Sequence, residues 1–280
     1  MHALFRRLRR LIPSALLVLA PLAPAAVIAL RAPDELAAVL APHLPDDVAP
    51  GAGAQSRLQE LISGILATEG YFSPQLAFAE VDGELRVVVE PGPRTMITAV
   101  AITVDGEITE KTRAALIAGW TLGVGQPFRQ DDWSSAKQQL LAALLAENHA
   151  GARLLDSQAA IDPETQAARL QVHYDSGPRY RFGELRIVGL QRFPPALIER
   201  YNNRVKPGAP YREEDLNALQ TTLQATPYFR SVRVSIERDV PPDADGTVSA
   251  PVIIQVSERP GHRVSFGGGF SSNTGARVEA

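Results

Sequence analysis

Histidine is the first residue type to test for chemistry, because imidazole ligates metals and accepts protons near neutral pH. The chain holds five, His2, His43, His149, His173 and His262, and no two lie at a ligand-like spacing. They read as solvated surface residues, His173 on the polar side of an alternating segment. Carboxylates cluster at Asp131-Asp132 and at Glu213-Glu214-Asp215, where acid–base work or a cation site would be the chemistry. Both clusters stand where a helix begins, and carboxylates there complement unpaired amide groups and the positive end of the dipole. Asp243-Ala244-Asp245-Gly246 resembles the opening of a calcium loop, but Ile254 takes the twelfth position, which requires a bidentate glutamate. It reads as a turn. Gly267-Gly268-Gly269 lacks the spacing and the following helix of a phosphate-binding loop. No Gly-x-Ser-x-Gly is present, and with no cysteine there is no thiolate nucleophile, thiolate zinc site, iron–sulfur cluster or disulfide. No catalytic, metal or cofactor residue is assigned, no cofactor is expected, and the chain reads as a protein that is not an enzyme.

What such residues are attached to follows from an internal repeat. Gly125-Gln126-Pro127-Phe128-Arg129-Gln130-Asp131-Asp132-Trp133 matches Gly208-Ala209-Pro210-Tyr211-Arg212-Glu213-Glu214-Asp215-Leu216, an offset of 83 positions. A second marker, Gly92-Pro93-Arg94, returns as Gly177-Pro178-Arg179, and Pro260-Gly261 closes another interval of similar length. The unit is about 80 residues. Within the last unit, Leu185 and Ile187 alternate as a strand, and Leu197, Ile198, Tyr201 and Val205 fall at helical spacing. Leu216, Leu219 and Leu223 mark a second helix. Val232, Val234 and Ile236, then Val252, Ile254 and Val256, alternate in two further strands across the Pro241–Gly246 turn. The order is strand, helix, helix, strand, strand, with two amphipathic helices covering one face of a three-stranded sheet.

The middle unit repeats it, with Ala101 to Val104 as first strand, Trp133, Leu140, Leu141 and Leu144 on the second helix, and Leu170, Val172 and Tyr174 in the last strand. The first unit keeps Leu58, Leu61, Ile62, Ile65 and Leu66 on a helix and Leu85, Val87 and Val89 in a strand. Its front half is compressed into a strand at Val27 to Arg31 and a helix from Asp34 to Leu44. Junctions this short imply restricted articulation.

The composition, 45% hydrophobic and 21% charged over 280 residues, suits packed modules and excludes a disordered chain. Lys+Arg 28 against Asp+Glu 31 leaves no basic excess, so no nucleic-acid partner is expected. Arg6, Arg7, Arg9 and Arg10 precede an apolar stretch from Leu11 to Leu30, and Ala23 to Ala26 follow its most apolar part, which reads as a secretory signal peptide cleaved near Ala25 or Ala26. An uncleaved anchor is the alternative, but the run Ala15 to Ala20 is short against the roughly 20 residues a spanning helix needs. Cleavage removes four arginines and no acid, so the exported product is acidic. After Gly261 the pattern changes. Val264, Phe266, Gly268 and Phe270 share one face of an extended segment, Arg263, Ser265, Gly267, Gly269 and Ser271 the other, and no helix follows. Apolar on one side and small or polar on the other, it matches one strand of a transmembrane β-barrel, which cannot span a bilayer alone.

Three exported modules of this kind followed by a barrel-like strand resemble the polypeptide-transport-associated (POTRA) domains of the Omp85 superfamily. Asp175 to Gly183, Tyr228-Phe229-Arg230-Ser231-Val232 and Phe266 to Val278 are similar to its TamA-type branch. The middle unit departs by carrying His149-Ala150 where its siblings have Tyr71-Phe72 and Tyr228-Phe229. The resemblance implies an α+β chain organised as signal peptide 1–26, POTRA modules at 27–92, 93–177 and 178–259, and the start of an incomplete outer-membrane β-barrel at 260–280. It implies an outer-membrane protein with its modules in the periplasm, lipid contact through the barrel, and unfolded outer-membrane or autotransporter clients. A TamB-like, inner-membrane-anchored partner would dock on the first module. A sister Omp85 member, a soluble periplasmic scaffold of the same modules and a signal-anchored division protein are the alternatives.

A three-stranded sheet has unpaired edges to which an extended client can add a strand. One such edge is expected on the strand beginning at Ser231, with Ser231, Val232, Arg233, Val234, Ser235 and Ile236 as its residues; the competing expectation is that a neighbour covers it. In the barrel-like strand, Val264, Phe266, Gly267, Gly268, Gly269 and Phe270 would form a lateral seam, because glycines weaken strand pairing.

Overall fold

The computed structural model describes residues 26–48, 52–260, 267–271 and 275–279. Residues 1–25 of the expected signal segment, and Val264 and Phe266 of the expected seam, lie outside them. The chain divides into two compact units that part after Pro93.

The first unit holds β1 (Ala26–Arg31), α1 (Asp34–Leu40), β2 (Asp47–Val48), α2 (Ala52–Thr68), β3 (Gln75–Val81) and β4 (Glu84–Glu90). Its sheet runs β2-β1-β4-β3, with β1 parallel and β3 antiparallel to β4. Leu85, Val87 and Val89 of β4 are buried while Glu84, Arg86 and Glu90 are exposed, the alternation of a half-covered sheet. Against them pack Leu36 and Leu40 of α1 and Leu58, Ile62 and Leu66 of α2. Leu61 is 39% exposed and falls off that stripe. The first helix ends at Leu40 rather than Leu44, because Pro42 has no N–H to continue the ladder and the chain tightens into a 3-10 turn at Ala41–His43.

The second unit carries two further sheets. β5 (Met96–Asp105), α3 (Glu110–Ala118), α4 (Gln130–Ala146), β6 (Arg153–Asp162) and β7 (Ala167–Asp175) form one, in the order β5-β7-β6. β8 (Tyr180–Val188), α5 (Ala196–Tyr201), α6 (Glu213–Gln224), β9 (Phe229–Ile236) and β10 (Val248–Glu258) form the other, in the order β8-β10-β9. In both, the first strand lies parallel and the middle strand antiparallel to the last, which is central. Leu170, Val172 and Tyr174 are buried along β7, and Val252, Ile254 and Val256 along β10. Val205, at helical spacing in the sequence, is not helical. α5 stops at Tyr201, and Asn202 grips Val205 from the loop, its Oδ1 accepting the Val205 N–H at 3.0 Å and its Nδ2 donating to the Val205 carbonyl at 2.6 Å. Val205 reaches the core by that route and is fully buried.

The repeated Gly-x-Pro-aromatic motif has a structural reason. Gly125 and Phe128 donate to the carbonyls of Ile97 and Thr95 at 2.8 and 2.9 Å, and Ile97 donates to Gln126. Gly208 and Tyr211 donate to Phe182 and Tyr180 at 2.7 and 3.0 Å, and Phe182 donates to Ala209. Each motif lies along the outer edge of the first strand of its sheet and closes it, with the proline at a bridge position that uses no donor. Gly125 and Gly208 have φ of 86° and 84°, a region glycine enters without steric cost.

The same region joins the two sheets of the second unit. Asn148, with φ of 58°, accepts the Tyr180 N–H at 2.7 Å and donates its own N–H to the Tyr211 carbonyl at 3.0 Å, and Glu147 pairs with Arg212 at 3.1 Å. Ala150 is buried in one cluster with Tyr180, Phe182 and Tyr211. A Cβ on Gly151 would stand 2.8 Å from the Tyr180 hydroxyl. A phenylalanine in place of Ala150 would overpack this joint, which accounts for alanine where the other units have Phe72 and Phe229; His149 stands where they have Tyr71 and Tyr228. Beyond them, β11 (Gly267–Ser271) pairs antiparallel with β12 (Gly275–Glu279), Gly269 opposite Arg277.

Candidate strand-addition edge

Among the described residues, β9 is an outer strand of its sheet, with β10 on one side. In an antiparallel ladder, alternate residues turn both backbone groups to the partner and the residues between turn theirs away. Glu237 donates to the Pro251 carbonyl at 2.9 Å, so Arg233 and Ser235, of the same parity, face β10 opposite Gln255 and Ile253. Val232, Val234 and Ile236 therefore point their N–H and C=O groups out of the sheet. Their side chains lie on the core side, while Ser231 and Arg233 are exposed.

Helix α6 runs beside this edge. Its apolar stripe Leu216, Leu219 and Leu223 is buried. A neighbouring polar stripe, Glu213, Asn217, Gln220 and Gln224, recurs at three- and four-residue steps and so occupies one face. Gln224 Nε2 donates to the Val232 carbonyl at 3.0 Å, and Gln220 Oε1 accepts the Val234 N–H at 2.9 Å. Two of the outward groups are thus taken by side-chain amides. Further along, the space between helix and strand opens into a groove of about 450 Å³ lined by Tyr211, Glu213, Asn217, Val234, Ile236 and Arg238, among others. Among the described residues, the Val234 carbonyl and both backbone groups of Ile236 have no hydrogen-bond partner within the protein. The six residues expected from sequence thus share one outer strand, half covered and half open. The glutamines escaped sequence reasoning, although their four-residue spacing beside the Leu216–Leu223 stripe is visible there.

The other candidates fall elsewhere. His149 is not a surface histidine: it is 5% exposed, because the small Ala150-Gly151 pair lets the joint close over it. Its Nδ1 has no partner among the described residues. Burial, then the nearby Arg179, pushes its pKa below the ordinary histidine value. His173 Nε2 meets Asp105 Oδ2 at 2.6 Å across the β5–β7 pair. The carboxylates of Asp131 and Asp132 open α4 and those of Glu213, Glu214 and Asp215 open α6, the last two also facing Arg204 at 3.5 and 3.3 Å. Asp243 and Gly246 close a turn, Gly246 donating to the Asp243 carbonyl at 2.9 Å. Glu258 holds the β8–α5 loop: it accepts the N–H groups of Gln191, Arg192 and Phe193 at 2.9 to 3.2 Å and the Arg192 guanidinium at 3.1 Å. Burial alone would raise its pKa, but these donors outweigh it and hold the carboxyl down to about 2. Among the described residues no helix is long and apolar enough to cross a membrane.

Residues 180–259 match the profile of the POTRA family, described as a surface antigen variable number repeat. Among solved structures, the chain is similar to BamA from Haemophilus ducreyi lacking POTRA domains 1–3, at 20% identity and a TM-score of 0.50 over 65% of this chain, which spans 32% of that one. It is also similar to POTRA domains 3–5 of Haemophilus influenzae BamA, at 17% identity and a TM-score of 0.49, covering 86% of this chain and all of that one. POTRA domains 1–3 of Omp85 from Anabaena match at 16% identity and a TM-score of 0.35, over 84% of this chain and 95% of that one. Residues 180–259 are a POTRA domain, and the chain as a whole has the mixed α+β fold of tandem POTRA domains.

Proposed function

We propose that this chain is the periplasmic arm of a TamA-type outer-membrane assembly and translocation factor, a binding scaffold that receives unfolded outer-membrane or autotransporter clients and hands them to a barrel. The modules are those expected at 27–92, 93–177 and 178–259, with Ser231 to Ile236 as the client-pairing edge of the third. One observation carries the reading: β9 is a sheet edge whose outward backbone groups at Val234 and Ile236 adjoin an open groove. An extended client pairing there uses main-chain hydrogen bonds, so the edge accepts clients of many sequences. The POTRA profile match and the likeness to BamA, an Omp85 protein, support the same role. In this reading the protein sits in the outer membrane, a TamB-like partner docks on the first module, and the segment Val264 to Phe270 begins the barrel, Gly267 to Gly269 weakening a seam that opens for clients.

Ile236→Pro tests it. The Ile236 N–H faces away from β10 and has no partner among the described residues, so proline removes no ladder bond while it removes the donor an added strand would use. With a photocrosslinking residue at Ser235 in cells, client adducts should fall sharply in the Ile236→Pro protein. Undiminished adducts to a variant of unchanged circular dichroism would refute strand addition at this edge.

A further inference from the structure

Two side chains of α6 already occupy the edge that a client would use. Gln224 supplies a donor to the Val232 carbonyl at 3.0 Å and Gln220 an acceptor to the Val234 N–H at 2.9 Å. A neighbouring strand would present a donor and an acceptor at the same two places. The four-residue step between the glutamines, just over one helical turn, separates them by about 6 Å along the axis. The two-residue step from Val232 to Val234 is about 6.6 Å, so a helix face can stand in for a strand over this interval. The match ends there: Asn217 and Glu213 continue the stripe, but against Val234 to Arg238 they line the groove instead of bonding the strand.

Resting on the strand-addition reading, we propose that Gln220 and Gln224 gate the edge and determine which clients it holds. An extended segment enters the groove and pairs first with the Val234 carbonyl and with Ile236. It can lengthen its pairing past Val234 only by displacing two amides that already satisfy the strand. A short extended segment meets no competition, whereas a long one exchanges existing hydrogen bonds for new ones and gains little from them. The edge thus favours brief, shallow capture over full augmentation, and the Val232 carbonyl and Val234 N–H stay satisfied when no client is present.

The test uses the full chain and two fluorescein-labelled peptides of alternating valine and threonine, one of five residues and one of ten, titrated by anisotropy. In Gln220→Ala/Gln224→Ala the ten-residue peptide should bind about tenfold tighter than to the unaltered chain, since two main-chain bonds form without displacement. The five-residue peptide should bind the two forms equally. Gln220→Glu keeps an acceptor for the Val234 N–H and should hold ten-residue binding within about twofold of the unaltered chain. Binding that Ile236→Pro abolishes but the double variant leaves unchanged or weaker would overturn the gate and leave strand addition standing. Binding that is absent, or indifferent to Ile236→Pro, would overturn both. A double variant that dimerises without tighter peptide binding would make the glutamines a guard against self-pairing and overturn the gate.

Discussion

Gly151→Ala probes the joint between the second and third sheets. The backbone there is outside the left-handed region, so alanine is unstrained and, in open space, would stabilise by about 0.4–1 kcal/mol. The space is not open: its Cβ would lie 2.8 Å from the Tyr180 hydroxyl oxygen and 3.1 and 3.3 Å from ring carbons. Tyr180 cannot swing aside freely. It is 6% exposed, stands edge-on to Tyr211 with centroids 6.5 Å apart, and donates its hydroxyl to the Arg238 carbonyl at 3.3 Å. Overpacking costs about 1–3 kcal/mol and loss of the hydroxyl bond about 1 kcal/mol. Against the entropic gain, the expected net loss is about 2 kcal/mol. Tyr180→Phe removes the atom in closest approach and alone should cost about 1 kcal/mol. The pair together should therefore lose about 2 kcal/mol, short of their sum by about 1 kcal/mol, the coupling expected of residues in contact. Urea unfolding of the four chains by circular dichroism, with amide exchange of β8 and β10 to localise the loss, measures the cycle. Additivity within about 0.3–0.5 kcal/mol, or a Gly151→Ala protein more stable than its parent, would refute the proposed contact.

Gly64 lies exposed in α2 with nothing within 4 Å of an added Cβ, so Gly64→Ala should stabilise the first unit by about 1 kcal/mol in the same urea assay. The depressed Glu258 carboxyl contributes stability that is complete above its ordinary value of 4.5 and lost as pH falls toward about 2. Glu258→Gln should remove that limb from a plot of Tm against pH. His149 has the opposite chemistry and the same sense: its pKa is lowered, so the fold prefers neutral imidazole, and stability complete above 6.5 falls as pH drops below it. His149→Gln should flatten Tm between pH 7.5 and 5, and an NMR titration of His149 should show a midpoint below 6.5.

Much of this fold is legible because period and repeat agree. Leu85, Val87 and Val89, Leu170, Val172 and Tyr174, and Val252, Ile254 and Val256 all alternate in sequence, and each set is the buried face of a strand. Alternation alone does not say that all three strands are central, since strand order is a property of pairing between distant segments. Val205 misled because a loop residue held by Asn202 reached the core at a helix-like interval. His149 misled because its burial depends on the sheet that follows it, and a single histidine carries no trace of its neighbours in space. The edge at Ser231 to Ile236 could be framed from a three-stranded sheet, but which backbone groups are covered depends on Gln220 and Gln224, whose partners are a strand away.

The strand made last in each sheet lies at its centre, and this dictates an order of assembly. Val27 pairs with Glu84, Met96 with Ala167 and Tyr180 with Val248, separations of about 60 to 70 positions. β9 and β10 are joined by a turn and can zip locally, whereas β8, edged by the short Gly208 to Tyr211 segment, has no strand partner among the described residues until β10 exists. Capture of the first strand across so long a loop is the slow, entropically opposed event. A chain emerging N-terminus first must therefore hold β8 and both helices unassembled until Val248 to Glu258 has arrived, then close the module in one cooperative step. A nascent chain stopped before Val248 would present the third module's apolar stripes to any chaperone within reach, while the sheet centred on β7 was already complete.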